Sequence, residues 1–213
     1  MTGNVTNVLE IAVKGGFLML ILLVISVIAI AIIIERLISL RRLSGNNKKV
    51  MAGTLEHLGA GIPERAVALC EENASAPIST ILIEAIDNLK APWHELETIL
   101  ELEANRQGIR LQKNLGTLST FAAVAPLIGF LGTVTGMVKV FMKIGETSGG
   151  VDISLLANGI WEALITTIGG LTVGIISILF YNYLIGRTET IASELEDGTS
   201  RLLIHIRRLR DED

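Results

Sequence analysis

Three long stretches without charge interrupt an otherwise polar chain. Gly15 to Ile34 is dominated by Ile, Leu and Val, and its length matches the roughly 20 residues that an α-helix needs to cross the hydrocarbon core of a bilayer. A second uncharged stretch runs from Asn114 to Val138, and a third from Ile153 to Gly186, broken by a single ionisable residue, Glu162. The pattern predicts an all-α membrane protein with transmembrane helices over 15–35, 114–140 and 154–186. The first run is too long for the apolar core of a cleaved signal peptide, and Glu35 and Arg36 follow it where a small-residue cleavage site belongs, so the reading keeps it as a membrane anchor.

Between the first two spans, residues 36–113 are polar and read as helical, with Pro63, Pro77 and Pro92 each placed where a helix can begin. After Pro92, the apolar positions Leu96, Ile99, Leu100 and Leu111 recur at helical intervals. No proline follows before the second span, so one long helix is expected to run into the membrane. Residues 187–213 read as a continuation of the third helix, with Ile191, Leu195, Leu202 and Ile206 on one stripe. The connection over 141–153, carrying Gly145, Gly149 and Gly150, reads as a short turn.

Composition agrees with this layout and narrows the function. Of 213 residues, 50% are hydrophobic and 19% charged, against about 25% charged in an ordinary soluble domain, which excludes a water-soluble enzyme. Aromatic residues make up 4% and glycines number 21, which suits close-packed membrane helices better than a barrel with aromatic girdles. Nine basic residues flank one side of the spans (Arg36, Arg41, Arg42, Lys48, Lys49, Arg106, Arg110, Lys113 and Arg187), against Lys14, Lys139 and Lys143 on the other. The positive-inside rule then places the N-terminal residues 1–14 outside and the 36–113 region and C-terminal tail in the cytoplasm. Cys70 is the sole cysteine and reads as a structural thiol. His57, His94 and His205 stand at no metal-ligand spacing, so no metal or cofactor is expected. The net charge of −4 gives no support for nucleic-acid binding.

Glu162 is the residue with chemistry to offer. A carboxylate inside a membrane helix costs about 2.5–3.5 kcal/mol on insertion scales, so it marks either an ion path or a compensated structural acid. At 100° per residue, Asn158, Thr166, Gly169, Gly170, Val173 and Ser177 share its face of the third helix. On the second helix, Ser119, Ala122, Pro126, Gly129, Thr133 and Gly136 form a comparable small and polar face. Gly132-x-x-x-Gly136 and Gly170-x-x-x-Gly174 have the spacing of close helix packing. The first helix is Leu- and Ile-rich all round and is expected to face lipid. Three helices enclose little space, which favours a homo-oligomer built around helices two and three.

The segments APLIGFLGTVTGM (Ala125–Met137), GIWEALITTIGGLTVGI (Gly159–Ile175) and YNY (Tyr181–Tyr183) resemble the ExbB/TolQ/MotA family of ion-channel subunits. The resemblance is strong over residues 113–190 and looser over the first helix with its IIIERLISLRR ending (Ile32–Arg42). It implies a pentameric ring in a bacterial inner membrane, lined by helices two and three, which extend into the cytoplasm. It further implies an ExbD- or TolR-like dimer of single-span proteins, each with a transmembrane aspartate, and a TonB- or TolA-like protein that carries the work to the outer membrane. By the same resemblance, Thr133, Glu162 and Thr167 mark the proton pathway, with Thr166, Asn158, Pro126 and Gly129 as further pore-facing positions. Thr167 lies about 140° from Glu162 on the wheel and is expected to face a neighbouring subunit or the partner helix. Two departures stand out, since relatives carry proline where this chain has Asn158 and Ile176. A non-conducting scaffold and a sodium-driven homologue are the competing readings.

Overall fold

The computed structural model describes residues 16–44, 47–146 and 153–212. Among them every regular element is an α-helix: α1 (Gly16–Ser44), α2 (Asn47–Gly59), α3 (Pro63–Glu72), α4 (Pro77–Asp87), α5 (Trp93–Leu111), α6 (Leu115–Glu146) and α7 (Ile153–Glu212). Three stretches are long and apolar enough to cross a membrane, and they carry the three uncharged runs. The expected outside segment 1–14 and the glycines at 149 and 150 lie outside the described residues.

The chain divides into two compact units. The first comprises residues up to Ile34 together with Asn114–Asn182, and the second Glu35–Lys113 with Tyr183–Asp213. In the first unit, α6 has 32 residues, about 48 Å of helix at 1.5 Å per residue, ample for a core about 30 Å thick. Its outer surface is apolar, with Leu127, Phe130, Leu131, Val134 and Val138 exposed, the pattern of a helix whose solvent is lipid. On α1 the structure revises the expectation of a uniformly lipid-facing helix. Leu22, Ile25, Ala29 and Ile33 are buried at steps of three and four residues, so one stripe packs while Phe17, Leu20, Val24 and Val27 stay exposed. With Leu and Ile on every side, no contrast in the sequence marks that stripe.

The second unit is built as a soluble bundle is. Helices start at Pro63 and Pro77, where the missing N–H costs nothing, and α5 starts directly after Pro92. Ile78, Ile81, Leu82, Leu96 and Leu100 are fully buried with Ile191, Leu195, Leu202 and Ile206 from the far part of α7. Arg210 donates hydrogen bonds to the carbonyls of Leu89 and Ala91, and its neighbour Arg207 stands 5.8 Å over the Trp93 ring. Cys70 is buried within hydrogen-bond distance of the Thr54 hydroxyl, 3.4 Å away, and burial pushes its thiol up from the ordinary range.

Two boundaries differ from the sequence reading. The long helix expected after Pro92 is broken at Gln112–Asn114, where Asn114 adopts φ +62°, a left-handed conformation that asparagine tolerates better than most residues. Within the expected turn over 141–153, residues up to Glu146 belong to α6 and Ile153 to α7, and 147–152 lie outside the described residues.

Candidate functional site

Small residues let α6 and α7 approach to backbone contact. The Val140 side chain lies against Gly159, Gly136 faces Ala163, Gly132 faces Thr166, Gly129 faces Thr167 and Gly170, and Pro126 faces Gly174. Steps of three or four residues back along α6 are matched by steps of three or four forward along α7, which fixes an antiparallel register. A methyl group added at Gly170 would lie 2.5 Å from the Ala125 carbonyl oxygen and 2.8 Å from Gly129 Cα, neither of which can move without parting the helices. Gly132, Gly136, Gly170 and Gly174 all belong to this seam.

The threonines divide between the seam and its edge. Thr166 is 1% exposed, and it fills the space that Gly132 leaves open, with its hydroxyl given to the Glu162 carbonyl at 2.8 Å. The pore-facing placement expected for Thr166 and Gly129 is therefore replaced by burial between two helices of one chain. Thr167, half-buried, donates to the Gly129 carbonyl of α6 at 2.8 Å. Thr133 is half-buried, with its hydroxyl on the Phe130 carbonyl at 2.6 Å. Pro126 rests its ring against Gly174.

Glu162 lies at the edge of the seam. Helical side chains lean toward their own N-terminus, so Glu162 leans toward Asn158 while Lys139, on the antiparallel α6, leans the opposite way, and the two converge. The Lys139 Nζ stands 3.7 Å from Glu162 Oε1, and the carboxylate side chain is 35% exposed. Both line a cavity of about 460 Å³ together with Gly136, Lys143, Glu146 and the exposed Asn158. Gly16 of α1 closes on the same carboxylate. Its φ of +69° favours glycine, and a methyl group there would meet the tip of the Glu162 side chain at Oε1, 2.5 Å away.

Lys139 and Gly16 are the site residues that sequence reasoning missed. The available signal for Lys139 was its place three residues after Gly136, on the face toward α7. The register sets Thr133 near Thr166 and Glu162 about one turn further on, beside Lys139.

The sequence profile of the MotA/TolQ/ExbB proton channel family matches residues 73–197, more than half of the chain and all of the α6–α7 seam. The chain belongs to that family. An ExbB-like biopolymer transport protein of Synechocystis is 31% identical over 201 residues, covering 93% of this chain and 94% of the relative. The biopolymer transport protein ExbB of Neisseria meningitidis is 29% identical over 216 residues, with 93% of each chain covered. A biopolymer transport protein ExbB homologue of Methanothermobacter thermautotrophicus is 30% identical over 191 residues, or 89% of this chain and 67% of that protein. For a proton channel subunit of the ExbB/TolQ/MotA type, the ionisable residue at a helix seam, open to a polar cavity, is the feature to interpret.

Proposed function

We propose that this chain is the ring-forming channel subunit of an inner-membrane motor of the ExbB–ExbD or TolQ–TolR kind, which uses the proton motive force for TonB- or TolA-dependent work at the outer membrane. The observation that carries the reading is Glu162, the single charged residue of the third apolar run, which lines a polar cavity at the edge of the seam between two glycine-packed helices. Thr133, Glu162 and Thr167 mark the proton path along that seam. A charge crossing 100 mV releases about 2.3 kcal/mol, enough to bias a conformational step in a partner.

In this reading five copies form the ring, with the N-terminus periplasmic and the second unit in the cytoplasm. The ring encloses a dimer of single-span ExbD- or TolR-like proteins with a transmembrane aspartate. Glu162→Gln keeps the shape of the side chain and removes its charge, so it is expected to abolish TonB- or TolA-dependent phenotypes while the complex still assembles. Full uptake by that variant would refute the role of the carboxylate. A pure scaffold predicts differently, since Thr133→Val and Thr167→Val should then cost only as much function as they cost stability.

A further inference from the structure

The geometry points to Lys139 as the specificity-determining residue that closes the Glu162 carboxylate to metal cations and leaves it to protons. This inference rests on Glu162 being part of the ion path and names what that path admits. The ammonium group of Lys139 stands 3.7 Å from Glu162 Oε1, close enough for its charge to oppose a second cation that approaches that oxygen. Among the described residues, the charged groups around the cavity are Lys139, Lys143 and Glu146 from α6 and Glu162 itself from α7, two positive and two negative, and α1 brings the uncharged Gly16.

Ligand supply argues the same way. A hard cation takes several oxygen ligands at once. Among the described residues no group of three acidic, His or Cys side chains is placed to hold a metal ion. A proton needs one oxygen lone pair, which Glu162 retains beside the ammonium group. A sodium ion must compete with Lys139 for that oxygen and gather further oxygen ligands as well.

The test is carbodiimide modification of Glu162, which requires a protonated carboxyl and is therefore suppressed when a metal ion occupies the oxygen. Full-length protein in native membrane vesicles is treated with dicyclohexylcarbodiimide in sodium chloride or choline chloride at equal ionic strength, and the adduct on the Glu162 peptide is quantified by mass spectrometry. The wild type is expected to label equally in both salts. In Lys139→Gln, sodium should slow labelling by roughly two- to fivefold, the scale of one partly exposed ion pair, and Lys139→Arg should restore insensitivity to sodium. Protection of the wild type by sodium overturns the inference even if no variant folds, and so does a Lys139→Gln protein that sodium leaves unaffected. Because the readout is occupancy and not transport, a failure of the channel reading shows separately, as a Glu162→Gln strain that still transduces energy.

Discussion

Thr167 gives its hydroxyl to the Gly129 carbonyl across the α6–α7 seam, and that single bond separates two roles often confounded in membrane helices. Thr167→Val deletes the bond and should lower the stability of the helix pair by about 0.6–1.7 kcal/mol, whereas Thr167→Ser should keep it. Unfolding in mixed detergent micelles measures both, and a proton-path role predicts that flux falls by more than that loss explains. Cys70 gives a second check at this scale. Its thiol is buried and held up by desolvation, so it should resist thiol reagents until the chain unfolds. The sign for stability follows from linkage: the contribution is complete below the unfolded thiol's ordinary pKa of 9.0 and is lost as the pH rises through the higher folded value. Chemical denaturation across the alkaline range should show that decline, and Cys70→Ala should flatten it. Among single residues, Glu162 stands out in the sequence because a lone charge in an apolar run is visible without coordinates. Its partner does not, because the meeting with Lys139 depends on the lean of two side chains on antiparallel helices.

Packing at the element scale is decided by backbone approach. Gly170→Ala would drive a methyl group into the Ala125 carbonyl and Gly129 Cα, so it is expected to destabilise the α6–α7 pair by about 1–3 kcal/mol, the usual cost of overpacking. Gly186, on the same helix, has nothing within 4 Å of an added methyl group, and Gly186→Ala should stabilise α7 by about 0.5–1 kcal/mol. The contrast between the two variants in one denaturation series isolates the seam from simple helix propensity. The four-residue spacing of glycines made close packing readable on both helices, but not which residue fills each gap, and Thr166 rather than a pore occupies the space at Gly132. The break before α6 was unreadable for another reason. Neither proline nor glycine stands at 112–114, and only the coordinates reveal Asn114 in a left-handed conformation. Asn114→Gly should be tolerated there, and Asn114→Val should cost about 1–2 kcal/mol.

For the whole molecule, uncharged length alone located the three membrane-spanning helices, and amphipathic spacing located the helical second unit with the buried stripe of Ile191, Leu195, Leu202 and Ile206. The exposed apolar surface of α6 and α7 needs lipid or other helices to cover it, and the proposed ring supplies both. Gentle extraction from native membranes should therefore co-purify a small protein with one transmembrane helix bearing an aspartate, and mass spectrometry identifies it. The central claim concerns proton movement past Glu162, and the most direct measurement is proton uptake into liposomes containing the co-purified complex under an imposed potential. The account predicts uptake by the wild-type complex and its loss in Glu162→Gln at equal reconstituted amounts. Equal uptake by both, or none by the intact wild-type complex, would contradict it.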